Sequence, residues 1–278
     1  MHYILILFLT LAACFGVQTL ALHSVGGKTN KSESNFFSSV ARIQSGILGN
    51  PEIMLLGSSM TGRLPDQNQG FAGVTNLGCD GASAAETLRA MDQGKLPVAP
   101  ILIIEGNTLY RATSGARSEI ARAIDSPWFQ VGGRIPNLSA TARPAAFFYS
   151  RLLARKIGQG GRDSARPIQP TRFPEKLSGP LPQLSESELR LIDELTAVIK
   201  RLENRGSQIL ITVLPPGNSP DSPHVRLPTA LAIRTELPFW NLVTSLPPGQ
   251  IHFTDGVHMD PPSAAAVMNT LLVSIRHP

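Results

Sequence analysis

Three short runs constrain this chain more than anything else in it: Ile53-Met54-Leu55-Leu56, Ile101-Leu102-Ile103-Ile104 and Ile209-Leu210-Ile211-Thr212-Val213-Leu214. They are apolar almost throughout and do not alternate with polar residues. A strand with one face in water alternates, so unbroken runs of this length belong to strands covered on both faces, as in a parallel sheet packed between helices. The segments between them have helical spacing or turn residues. The pattern predicts strands over 53–57, 75–78, 101–105, 208–214 and 251–253. It predicts helices over 35–48, 82–93, 118–124, 185–204, 227–237 and 261–275. Such alternation implies a mainly parallel three-layer α/β/α sandwich of flavodoxin-like type.

The boundaries follow from local chemistry. Gly49-Asn50-Pro51 stops the first of these helices, and Gly206 ends the one that Ser185-Glu186-Ser187-Glu188 opens. Pro261 and Pro262 suit a first helical turn. The stretch 126–182 is rich in Gly and Pro and reads as an insertion into the α/β core, with a possible helix at 145–157. The domain reading is therefore a signal peptide or membrane anchor at 1–23, a linker and first helix at 24–50, and one α/β domain at 51–278.

Residues 3–22 are uncharged and mostly apolar, about the ~20 residues that a spanning helix needs. Two readings stand: a retained single-span anchor, or a signal peptide cut near Ala21 after the small residues Thr19 and Ala21. Leu11-Ala12-Ala13-Cys14 resembles a lipoprotein box, but no Lys or Arg precedes it and apolar residues continue past Cys14. Lys28 and Lys31 follow the span; by the positive-inside rule alone they would keep the body of the protein in the cytoplasm. The signal-like start favours an exported domain, on the periplasmic side of a bacterial inner membrane.

The net charge is +5 over 278 residues, with basic residues scattered and no Lys/Arg run interleaved with aromatics. That argues against a nucleic-acid partner and suits a mildly basic envelope protein. There are two cysteines and no CxxC pair, which argues against a thiolate zinc site. Cys79 reads as a small apolar filler.

The chemistry gathers at predicted strand ends, where open α/β sheets bind their ligands. Gly57-Ser58-Ser59 follows the first strand and delivers a hydroxyl there. Acyl transfer from a serine needs a base, a carboxylate to orient the base, and donors for the oxyanion. Ser59 can be the nucleophile, His258 the base and Asp255, three residues earlier, its orienting carboxylate. The Ser59 N–H, the Gly78 N–H and the Asn107 side chain are candidate oxyanion donors. Ser58 could exchange roles with Ser59. The bland readings are a helix cap or turn for the serines and Asn107, a backbone necessity for Gly78, and a surface turn for Asp255 and His258. A rival use of His252, Asp255, His258 and Asp260 is a divalent metal site. Gly57, Ser59 and Gly62 do not have the G-x-S-x-G spacing, and Gly57–Gly62 lacks a Walker lysine.

Four pieces, in order, resemble the blocks of the SGNH (GDSL-like) hydrolase superfamily. Gly57-Ser58-Ser59 resembles the Gly-Asp-Ser block. Asn76-Leu77-Gly78-Cys79-Asp80-Gly81 resembles the second, whose glycine supplies a backbone donor. Glu105-Gly106-Asn107-Thr108 resembles the Gly-x-Asn-Asp block, and Asp255-Gly256-Val257-His258 the closing Asp-x-x-His. The resemblance implies Ser59, His258 and Asp255 as a triad, with Gly78 and Asn107 in the oxyanion hole. It also implies esterase or O-acyltransferase activity without metal or organic cofactor. Ser58, Glu105 and Thr108 depart from the blocks. The Gly-Ser-Ser form and the N-terminal anchor look like the branches that handle acyl groups on bacterial surface polymers, such as alginate O-acetylation proteins. This points to an acyl-ester or polysaccharide substrate. The departures leave a second expectation, a non-catalytic carbohydrate-binding or envelope-assembly protein on the same fold.

Overall fold

The computed structural model describes residues 2–25, 32, 34–157 and 165–276. In chain order the helices are α1 (His2–Val25), α2 (Asn35–Gly46), α3 (Ala84–Asp92), α4 (Glu119–Asp125), α5 (Pro127–Arg134), α6 (Pro144–Ile157), α7 (Glu186–Asn204), α8 (Pro223–Thr235), α9 (Leu242–Ser245) and α10 (Pro261–Arg276). The strands are β1 (Ile53–Leu56), β2 (Val74–Asn76), β3 (Ile101–Glu105), β4 (Glu175–Lys176), β5 (Gln208–Val213) and β6 (Pro238–Asn241). Most of the expected linker at 24–34 lies outside the described residues.

The sheet runs β2-β1-β3-β5-β6-β4. All pairs are parallel except β4 with β6, which is antiparallel at the edge. Each face of the sheet is apolar and covered. Met54, Leu56, Leu102, Ile104, Ile209 and Ile211 face one core with α2, α3, α7 and α8. Ile53, Leu55, Ile103 and Leu210 face the other with Trp240 and α10, where Val267, Met268 and Leu271 are fully buried. The expected three-layer α/β/α sandwich is the fold of the chain, and the non-alternating strand sequences are its cause.

Strand order places the site. The chain goes from β1 to β2 on one side, then crosses to β3 on the other side of β1. That reversal opens a crevice at the carboxyl ends of β1 and β3, where doubly wound folds bind ligands. Ser59 follows β1 and Asn107 follows β3, so both residues flank it.

Helix termini behave as their sequences dictate. Ser83 with Glu86, and Ser185 with Glu188, form capping boxes at the starts of α3 and α7. Gly206, at φ +94°, follows the end of α7.

The local readings need one correction and two additions. No strand spans 251–253; Phe253 makes only an isolated bridge with Met259, inside a small hairpin. The strand that follows β5 is β6, Pro238–Asn241, in a stretch where the sequence predicts no element, just after the helix expected at 227–237. The described residues of segment 126–182 hold the helix expected at 145–157, as α6, and beyond that expectation α5 and β4; α5 begins with Ser126 accepting from the Trp128 N–H and Pro127 at the first helical position. Those are ordinary helix-start signals, outweighed on paper by Gly132-Gly133. Both glycines are buried, and a Cβ on Gly132 would lie 2.5 Å from Gln44 Nε2 and 2.9 Å from the Leu138 carbonyl. They are there for close packing rather than flexibility.

Candidate active site

The pairing of β1 with β2 continues past the strands. Leu77 N–H donates to the Leu55 carbonyl and Cys79 N–H to the Gly57 carbonyl, both at 2.8 Å. These bonds hold Gly57 against the end of β2 as the chain turns through Ser58 and Ser59 into a short 3-10 helix, Thr61–Arg63. No side chain fits at position 57: a Cβ would fall 2.1 Å from Thr61 Oγ1 and 2.6 Å from Glu105 Oε2.

The turn closes on a buried carboxylate. Glu105, at the end of β3, is 1% exposed. Its Oε2 accepts from Ser58 N–H at 2.6 Å, Ser58 Oγ at 2.7 Å and Thr61 Oγ1 at 3.0 Å; its Oε1 accepts from Thr108 Oγ1 at 3.0 Å. A buried carboxylate is tolerable when this many donors surround it. Ser58 Oγ also accepts from Met60 N–H at 3.1 Å. Ser58 is thus fully engaged beneath the turn, and the exchange of roles with Ser59 is not what the structure presents.

Ser59 faces the other way. Its Oγ lies 2.9 Å from His258 Nε2, across 199 residues of sequence. His258 Nδ1 lies 2.7 Å from Asp255 Oδ2. Nδ1 therefore carries the proton toward the carboxylate, leaving Nε2 free to accept from the serine hydroxyl. The three residues expected to form a triad form one continuous chain of hydrogen bonds.

Local turn chemistry holds the histidine in place. Asp255 Oδ1 accepts from Val257 N–H at 3.1 Å and from His258 N–H at 2.8 Å, and Gly256 takes φ +78°. Thr254 N–H donates to the His258 carbonyl and Asp260 N–H to the His252 carbonyl, both at 2.9 Å, which closes the hairpin. Asp260 Oδ1 then accepts from Ser263 N–H at 2.9 Å, capping α10 directly behind the loop. The Asp255 carboxyl is held well below the usual carboxylate range. The largest cause is the His258 side-chain hydrogen bond, followed by the N–H groups of His258 and Val257. It is ionised wherever the site would work.

The expected oxyanion donors fare unevenly. The reading of Gly78 is corrected: its N–H already donates to Asn76 Oδ1 at 2.8 Å, and its carbonyl accepts from the Arg42 guanidinium. A Cβ there would lie 2.4 Å from Gly62 N and 2.7 Å from the Ser58 carbonyl, so Gly78 serves the close approach of two backbones. Asn107 is buried beside β5, its amide paired with the Leu214 backbone: Nδ2 donates to the carbonyl and Oδ1 accepts from the N–H, both at 2.8 Å. That leaves one Nδ2 hydrogen. Among the described residues, the N–H groups of Ser59 and Gly81 make no hydrogen bond of ordinary geometry.

Sequence reasoning missed the supporting residues. Asn76 Nδ2 donates to the Thr61 and Leu64 carbonyls at 2.7 Å each, tying β2 to the helix after Ser59. Buried Arg42, from α2, reaches Gly78 and lies 3.7 Å from Asp80. His224 Nδ1 is 2.9 Å from the Asn107 carbonyl, and its ring meets Tyr110 edge-on at 4.6 Å. Asn76 and Glu105 lay inside the quoted blocks. Nothing in the spacing signalled Arg42 or His224.

The rival metal set does not converge. Asp255 is bound to His258, and Asp260 caps α10. Among the described residues no three His, Cys, Asp or Glu side chains form a metal-binding group. Cys79 is fully buried, and desolvation pushes its thiol pKa far up, which keeps it a thiol rather than a nucleophilic thiolate. Among the described residues one helix, at the N-terminus over 2–22, is long and apolar enough to cross a membrane, with a mean hydropathy of 2.2. In comparisons with known proteins, no family model, curated protein or solved structure matches this chain.

Proposed function

We propose that this chain is a membrane-tethered serine esterase or O-acyltransferase with SGNH-type chemistry, acting on acyl esters, with O-acetyl groups of a cell-envelope polysaccharide as the favoured substrate class. One observation carries the reading: an alcohol, an imidazole and a carboxylate aligned at 2.9 and 2.7 Å on the carboxyl edge of a doubly wound sheet. The compensation between positions 58 and 105 supports it too. The SGNH pattern has its carboxylate at the position of Ser58. Here Ser58 is a hydroxyl, and Glu105 reaches under the same turn from β3.

In the proposed reaction Ser59 Oγ attacks the acyl carbonyl carbon while His258 Nε2 takes the serine proton. Asp255 stabilises the imidazolium. The tetrahedral intermediate collapses, and the departing alkoxide takes the proton from His258. Water or a sugar hydroxyl then gives its proton to His258 and attacks the acyl-enzyme carbonyl; the second tetrahedral intermediate expels Ser59 Oγ, which takes that proton back from His258 Nε2. Water gives a free acid, a sugar a new ester. The Ser59 N–H and the second Nδ2 hydrogen of Asn107 are the expected donors left for the oxyanion. No metal or organic cofactor enters. The Asp255 side chain is 54% exposed and that of His258 19%, so the carboxylate end of the triad faces water while the imidazole is largely covered. The apolar helix fits a membrane tether with the domain on the periplasmic side.

The second reading is a non-catalytic carbohydrate-binding or assembly protein. The commitment of Gly78 N–H to Asn76 favours it, because a donor anticipated for catalysis is spent. Turnover of p-nitrophenyl acetate separates the two. An enzyme hydrolyses the ester, loses activity in Ser59→Ala and keeps it in folded Ser58→Ala. A folded wild-type chain with no turnover, and with retained affinity for acetylated polysaccharide, favours the binding protein.

A further inference from the structure

The apolar helix is not a loose leader beside the domain. Gln18 Nε2 donates to the Asn137 and Ala142 carbonyls at 2.9 and 2.8 Å. Asn137 Nδ2 donates in return to the Phe15 carbonyl at 3.3 Å and to Thr19 Oγ1. These contacts fall inside the apolar stretch, which runs on to Leu22. At ~1.5 Å per residue, Thr19 lies about 5 Å short of the end of that stretch. If α1 spans a bilayer, the turn Pro136–Leu138 is drawn down to the membrane boundary with it.

The surface around that turn has the matching composition. Trp128 is 76% exposed, Leu138 52%, Phe148 64% and Leu152 63%. Isolated exposed apolar residues need no explanation, but these four lie on three elements that touch α1 or one another: the Pro136–Leu138 turn and α6 touch α1, and α5 touches that turn. The charge agrees. The sequence from α5 to the end of α6, residues 127–157, has five Lys and Arg (Arg134, Arg143, Arg151, Arg155, Lys156) and no Asp or Glu, in a chain whose net charge is +5. Aromatic residues and arginines are what the headgroup region of an anionic leaflet accommodates.

We propose that α5, the turn Pro136–Leu138 and α6 form a foot that rests on the leaflet from which α1 emerges. Trp128, Leu138, Phe148 and Leu152 enter the headgroup–acyl boundary, and exposed Arg134 at the end of α5 meets lipid phosphates. The inserted segment thereby holds the domain in one orientation over the bilayer. The proposal rests on α1 being retained as a membrane span.

The chain has two tryptophans, and Trp240 is buried at 1% exposure, so Trp128 alone reports on the surface. The test uses the full chain in vesicles of phosphatidylcholine and phosphatidylglycerol, with a lipid spin-labelled near the headgroup. The expected result is that emission falls toward about half, as one of two tryptophans is reached, and that Trp128 is shielded from aqueous iodide. Trp128→Phe abolishes the quenching, and Leu138→Asp reduces it severalfold while the chain stays in the membrane. Three results overturn the foot. One is Trp128 open to iodide and unquenched in a chain that resists alkaline extraction. Another is shielding from iodide without lipid quenching that grows with protein density, which assigns the patch to a second copy. The third is release by alkaline extraction; that removes the span itself and is read separately from the position of Trp128.

Discussion

The turn that carries Ser59 and the loop that carries His258 meet at 2.9 Å, yet different forces shape them. Around Ser59 everything is buried and comes from afar: Glu105 from β3, Asn76 from β2, Arg42 from α2. Around His258 everything is local and half in water. Asp255, three residues away, supplies both the side-chain partner and the turn. Rigid placement of the nucleophile is thus a property of the core, and placement of the base a property of one short loop. Damage to the first should appear as instability, and damage to the second as lost chemistry in a stable protein.

The largest effect expected from that contrast is on the loop side. Asp255→Asn keeps an oxygen for the Val257 and His258 N–H groups but removes the carboxylate facing Nδ1. By analogy with other triads, ester turnover should fall about 10³- to 10⁴-fold, with a far smaller loss of stability than variants of the turn show. Steady-state kinetics beside a thermal melt checks both halves. A loss of stability as large as that of the turn variants would erase the distinction.

On the turn side, Glu105→Ala leaves four donors without an acceptor in a dry site, together with a cavity. A loss of about 3–5 kcal/mol is expected in denaturant unfolding. Glu105→Gln keeps the volume and one acceptor oxygen, and should cost about 1–3 kcal/mol. Gly57→Ala meets Thr61 and Glu105 at impossible distances and should cost roughly as much as overpacking does elsewhere, about 1–3 kcal/mol. If these variants unfold like the wild type, the turn is not held by the core.

The smallest effect concerns pH. The Asp255 carboxyl is depressed in the folded chain, so its contribution to stability is present above the unfolded value of ~3.9 and is lost as pH falls toward the folded one. Unfolding free energy measured against pH should therefore fall less steeply for Asp255→Asn than for wild type below about pH 4.

The same contrast explains what was legible in the sequence. The three-layer fold could be read because strands covered on both faces leave unbroken apolar runs. The pairing of Asp255 with His258 could be read because it is local. The Ser58–Glu105 compensation could not, because each residue looked like an isolated departure until the β1–β3 register brought Leu56 opposite Ile104 and set the two ends together. Gly78 was misjudged for a related reason. A glycine after a strand offers a backbone donor or permits a close approach, and only the position of Gly62 and Asn76 decides between them. Strand β6 was hidden by its shortness, Pro238-Phe239-Trp240-Asn241, directly behind a helix.

Peptide mass mapping after treatment of the folded chain with a fluorophosphonate tests the central claim most directly, that His258 makes Ser59 a nucleophile. The adduct should sit on Ser59, not on Ser58, and should disappear in His258→Ala with the fold intact. A folded wild-type chain that takes no adduct, or an adduct on Ser59 that forms equally well without His258, would contradict it.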